Sequence, residues 1–219
     1  PVGKLYMDTR DDWSTWWRYY DQEPVFFTAT RALEDGEVLT LGGSHWEVIY
    51  TPGHSRDGIS LFNRREGVLI SGDALWERDT PPMTPQIEGS ECVERALASL
   101  ERIEGLGARL VFPGHGAPFT DVGAAVEANR TTLLEYLRNP EKMARDLVKK
   151  AFIFQLLMRR RVEEGIFLEA MLSSTWYKDT CRRFIGEDYS GIYREIMDDF
   201  ISRGIVVVSR GLLSTVVKP

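Results

Sequence analysis

Three apolar runs in this chain end alike, each entering a glycine- or proline-marked loop that carries one metal-competent side chain. Tyr50-Thr51-Pro52-Gly53-His54-Ser55 delivers His54, Gly67-Val68-Leu69-Ile70-Ser71-Gly72-Asp73 delivers Asp73, and Leu110-Val111-Phe112-Pro113-Gly114-His115 delivers His115. Runs of this composition read as strands, and the Gly/Pro punctuation reads as tight loops at their ends. Two imidazoles and a carboxylate carried this way can converge on one centre. Neutral imidazole nitrogen and carboxylate oxygen suit zinc, iron or manganese, and loops held by strands fix the geometry. No local ligand spacing of the His-Glu-x-x-His type occurs. The same spacing is equally met by three separate loop residues, with each histidine simply hydrogen-bonded in its turn.

The runs Thr51-Pro52-Gly53-His54-Ser55, Ser71-Gly72-Asp73-Ala74-Leu75 and Phe112-Pro113-Gly114-His115-Gly116 resemble, in order, the third, fourth and fifth motifs of the metallo-β-lactamase superfamily. The resemblance covers residues 1–128 and implies an α+β fold, the second half of an αββα sandwich. It implies that His54 binds a first metal, that Asp73 bridges two, and that His115 binds the second. Zinc is the implied cofactor, two ions in a complete domain, with iron or manganese as alternatives. Asp73 takes the catalytic role of orienting a water made acidic by the metals, which hydrolyses a small ester, thioester, lactone or lactam. The same scaffold with iron would be a persulfide-type oxygenase, and without metal a binding or regulatory module.

The family's first signature, His-x-His-x-Asp-His, is absent; the histidines are His45, His54 and His115 alone. With an initial proline besides, the expectation is that the chain begins after that motif. The missing ligands and the missing half of the sandwich must then come from an N-terminal segment, in the same parent protein or in a second chain. Self-association into a homo-oligomer is the other way to cover the sheet face left open. His45 opens a strand and has no role assigned by the resemblance.

Along the chain, residues 4–7 read as a strand and 8–22 as an aromatic-rich helix. Strands at 37–41 and 45–50 are joined through Gly42-Gly43-Ser44, and 59–62 pairs with 67–70, giving four strands of an antiparallel sheet. The proline-rich stretch 76–88 reads as a binding loop in which Trp76 and Met83 are candidate substrate contacts. Arg56 either faces solvent or meets an anionic substrate. Ser90 is the expected cap of a helix with Val93, Leu97, Leu100 and Ile103 on one stripe, and a strand at 109–112 follows. Asp121 caps a helix bearing Val126, Leu133 and Leu137, stopped by Pro140.

Residues 1–139 thus form one domain and 140–219 a second. The second is a mostly helical tail with a helix over 141–164 carrying Phe154 and Met158, broken by Gly165. Helices at 167–172, 177–185 and 191–203 (capped by Ser190) precede a terminal β-hairpin, a winged-helix-like order. Residues 1–130 carry 12 Lys and Arg against 21 Asp and Glu, so a nucleic-acid surface is not expected there. The last helix, with Glu195, Asp198 and Asp199, is a poor groove reader. No apolar run reaches the ~18–20 residues of a membrane span. Cys92 and Cys181 read as unpaired, non-catalytic thiols in a reducing cytoplasm.

Overall fold

The computed structural model describes Tyr19 and residues 31–218. The expected strand at residues 4–7 and helix at 8–22 lie outside the described residues, Tyr19 apart, which is helical. The described chain divides into two compact units, one ending at Asn139 and the other running from Pro140 with Tyr19 attached.

The first unit is built on a five-stranded sheet in the order β1 (Val38–Leu41), β2 (Ser44–Tyr50), β3 (Ile59–Asn63), β4 (Val68–Gly72), β5 (Leu110–Pro113). The first four strands are antiparallel, as their hairpin turns require, whereas β5 joins parallel to β4. That parallel return needs a crossover, which α1 (Pro85–Glu88) and α2 (Cys92–Gly105) provide before α3 (Val122–Arg138) closes the unit. Phe62, Leu69 and Val111 pair laterally and are all buried, so they define the inner face. The next residues along, Leu61, Ile70 and Phe112, point to the opposite face, where Ile70 and Phe112 are 39% and 42% exposed.

Two helix starts differ from expectation. Helix α2 begins from Glu91 without a side-chain cap, because the Cys92 N–H closes a turn on the Gly89 carbonyl instead of needing Ser90. Its buried stripe is Val93, Ala96, Leu100 and Ile103, with Leu97 only half-buried. Asp121 does cap α3, its carboxylate accepting the Ala124 N–H at 3.1 Å. Leu137 lies on the exposed side of α3.

In the second unit α4 (Pro140–Arg159) ends before residue 164, because Arg160 takes a left-handed φ of 61° and Val162–Glu163 pairs as β6 with β8. Phe154 and Met158 are therefore on an exposed flank of α4. Gly165 does not break a helix. It occupies the first turn of α5 (Glu164–Ser173), where the backbone N–H groups have no intrahelical partner in any case. After α6 (Thr175–Phe184), α7 (Tyr189–Ser202) starts two residues earlier than expected. Its cap is Asp188, whose carboxylate accepts the Gly191 N–H at 2.9 Å, and not Ser190.

Strands β7 (Val206–Ser209) and β8 (Leu212–Thr215) then form the terminal hairpin, and β6 completes a three-stranded sheet in the order β6-β8-β7. Phe152 is the centre of this unit's core: Phe167 lies edge-on at 5.7 Å and Tyr193 tilted at 5.6 Å, with Trp176 and Tyr177 beside them, all buried. Each such side chain contributes about 1.5–3 kcal/mol by leaving water. Glu195 and Asp199 of α7 pair with Arg145 and Lys149 of α4, both at 2.9 Å, which accounts for the acidic face of the last helix.

Among the described residues no helix is long and apolar enough to cross a membrane. Cys92 and Cys181 are both fully buried and unpaired, and burial pushes each thiol up to about 11. Thiolate, the reactive form, is then a minor species at any pH below that value. Native protein at pH 7.5 should therefore leave Ellman's reagent unreacted over an hour, while denatured protein titrates two thiols. Rapid reaction of either thiol in native buffer would contradict the burial.

Candidate metal centre

Each of the three loop residues singled out in the sequence leaves the sheet, or the loop after it, at the same place. His54 follows β2, Asp73 follows β4 and His115 follows β5. Asp73 lies between the two imidazoles, its Oδ2 at 3.7 Å from His54 Nε2 and its Oδ1 at 4.0 Å from His115 Nε2. Both separations exceed a hydrogen bond. His54 and Asp73 are about one-third exposed, whereas His115 is mostly open to solvent.

The His54 ring has a fixed tautomer. Its Nδ1 is 2.8 Å from the Pro82 carbonyl oxygen, which can only accept, so Nδ1 carries the proton. In the neutral ring Nε2 then presents a lone pair to the carboxylate. Two acceptors that face each other beyond hydrogen-bonding range fit a cation between them, at roughly 2.0–2.2 Å from each for zinc. The donor set of two imidazole nitrogens and a carboxylate is compatible with zinc, iron or manganese. Among the described residues no group of three His, Cys, Asp or Glu side chains is gathered tightly enough to form a finished cage. His54, Asp73 and His115 supply one side of a centre.

The surrounding backbone is packed close to hold this geometry. Gly53 has a φ of 149° and lies against α2, where a Cβ would come within 2.6 Å of Ala96 Cα. Ser99, one turn along that helix, donates to the Pro52 carbonyl at 2.6 Å and pins the same loop. A Cβ on Gly114 would overlap the Asp73 carboxylate, so glycine at that position lets the His115 loop approach Asp73. Asn129 of α3, 1% exposed, donates to the Trp76 carbonyl at 2.9 Å.

The three candidate substrate contacts turn out differently placed. The Trp76 indole N–H donates to Asp73 Oδ1 at 2.9 Å, and its ring lies edge-on to His115 with centroids 5.0 Å apart. Met83 is buried and, with Thr51, His54, Asp73 and Leu133, lines a small cleft beside the centre. Arg56 is half-buried: its N–H donates to Glu88 Oε2 at 2.6 Å and its guanidinium to the Ile87 carbonyl at 3.0 Å. Burial pushes the Glu88 carboxyl above its usual range, while the Arg56 N–H works against the shift. His45 is exposed on β2, its Nδ1 3.3 Å from the Thr40 hydroxyl.

Sequence reasoning missed Ser99, Asn129, Glu88 and the Pro82 carbonyl. For Ser99 and Asn129 a signal existed, since each is a polar residue set into the apolar stripe of an amphipathic helix. A Gly114→Ala substitution should displace the Asp73 carboxylate and weaken zinc binding about 10-fold, the low end of disturbing a ligand's support. Gly123→Ala, with open space around it in the first turn of α3, should leave zinc affinity unchanged. Isothermal titration of both variants checks this, and equal affinities would contradict the assigned packing.

A family model described as Metallo-beta-lactamase superfamily matches residues 2–115. The chain is 31% identical over 97 residues to an atrochrysone carboxyl ACP thioesterase of Aspergillus fumigatus, covering 44% of this chain and 29% of that protein. It is 28% identical over 151 residues to the probable metallo-hydrolase YqjP of Bacillus subtilis, covering 65% of this chain and 47% of that one. The crystal structure of a metallo-beta-lactamase family protein from Thermus thermophilus aligns with a TM-score of 0.48 at 20% identity, over 94% of this chain and 64% of that chain. The chain thus spans less than half the length of either sequence relative. By the match over residues 2–115, and by the three loops that carry its motifs, the chain belongs to the metallo-β-lactamase superfamily.

Proposed function

We propose that this chain carries part of the active centre of a metal-dependent hydrolase acting on a small thioester or related ester. The observation that carries the reading is the Asp73 carboxylate held between two imidazoles, one with its free nitrogen turned inward by the Pro82 carbonyl. His54, Asp73 and His115 are the residues that would hold the metal. A bound zinc, or iron or manganese in the same donor set, supplies Lewis acidity and brings the pKa of a water down toward ~7. Asp73 orients that water. The thioester class is supported by the similarity to the Aspergillus fumigatus thioesterase, and hydrolysis by that to the probable metallo-hydrolase of Bacillus subtilis.

The remaining ligands come, in this reading, from an N-terminal segment of the same parent protein or from a second chain. That segment would also cover the sheet face on which Ile70 and Phe112 are exposed. Met83 lines the cleft, Trp76 acts beside it through Asp73 and His115, and Arg56 acts through the loop it ties to Glu88 rather than by meeting substrate. The unit from Pro140 onward we read as a winged-helix-like domain for self-association, and the two unpaired thiols favour a reducing cytoplasm.

The test combines elemental analysis with release of thiol from acyl thioesters, in protein that includes the segment supplying the other ligands. Zinc should co-purify at a stoichiometric level, and Asp73→Asn should lower kcat/KM by more than roughly 100-fold, beyond the loss of a mere supporting partner. Absence of both metal and turnover would remove the proposal. Stoichiometric iron in place of zinc would move it to the oxygenase chemistry of the same scaffold.

A further inference from the structure

We propose that Trp76 is a positioning residue for the metal ligands Asp73 and His115, an inference that rests on the metal reading above. Indole Nε1–H is a donor without acceptor capacity, and at 2.9 Å from Asp73 Oδ1 it is committed to that oxygen. It occupies one lone pair of Oδ1 and so sets the carboxylate plane, leaving Oδ2 turned toward His54. The other side of the same ring limits His115, which meets it at 68° and 5.0 Å. One side chain therefore touches two of the three candidate ligands.

Trp76 is itself held. Asn129 donates one amide hydrogen to the Trp76 carbonyl and another to the Ala125 carbonyl, both at 2.9 Å, from a buried position on α3. The line of support runs from a rigid helix through Asn129 to the Trp76 backbone, and from the indole to Asp73. A partner of this kind fixes a ligand's orientation before metal arrives, and losing one typically costs 10–100-fold in metal affinity.

Trp76→Phe keeps an aromatic ring beside His115 and removes only the N–H. Zinc affinity of protein that includes the segment supplying the other ligands, measured by competition with a chromophoric chelator, should fall about 10-fold while the metal-free melting temperature stays unchanged. In the unaltered chain, the Trp76 indole 15N–1H resonance, assigned through its contact with the His115 ring, should shift on zinc addition and on Asp73→Asn. A purely structural tryptophan would show neither response. Equal zinc affinity in the parent chain and Trp76→Phe overturns the inference alone. Should that variant fail to fold, an indole resonance unmoved by zinc and by Asp73→Asn overturns it instead. A parent protein that includes the segment supplying the other ligands and still binds no zinc defeats the metal reading itself and takes this inference with it.

Discussion

Two hydrogen-bond acceptors confronting each other across 3.7 Å is the arrangement on which everything else depends. The Pro82 carbonyl places the proton on His54 Nδ1, so in the neutral ring Nε2 and Asp73 Oδ2 meet lone pair to lone pair. Such a pair has no direct attraction to offer; it is held in place by the packing around it. A metal cation placed between the two would complete the arrangement. The fold's contribution is to keep the two groups from relaxing away.

It does so with unusually short backbone approaches. The His54 loop is pressed on α2 at Gly53 and tied to Ser99, and the His115 loop reaches Asp73 because Gly114 has no side chain. The Gly114 N–H also donates to the Gly72 carbonyl at 2.8 Å, joining the Asp73 and His115 loops directly. The long segment between β4 and α2 is not a free lid. Its Trp76 carbonyl is fixed by Asn129, its Pro82 carbonyl by His54, its Ile87 carbonyl by Arg56 and its Glu88 carboxylate by the Arg56 N–H. Sheet, two helices and loop therefore share one job, holding three side chains around a common point.

Much of this was legible in the sequence, because strand-then-glycine patterns specify both the element and the loop where a ligand can sit. His54, Asp73 and His115 were found that way, as were four antiparallel strands and the Asp121 cap. What was illegible depends on tertiary contact. The cap of α2 shifted from Ser90 to Glu91 because a backbone turn from Gly89 already satisfied the first N–H. Gly165 reads as a helix breaker only if its place in the helix is unknown, and in a first turn it costs little. Trp76 looked like a wall for substrate, yet its N–H belongs to Asp73, a pairing no spacing rule announces.

The most direct measurement is a crystal structure, grown with zinc, of protein that includes the segment supplying the other ligands, with anomalous scattering recorded on both sides of the zinc edge. The account requires anomalous density within about 2.0–2.2 Å of His54 Nε2 and of an Asp73 carboxylate oxygen, with His115 Nε2 turned to the same centre. Imidazoles and carboxylate rotated apart, with zinc bound elsewhere or nowhere, would contradict it.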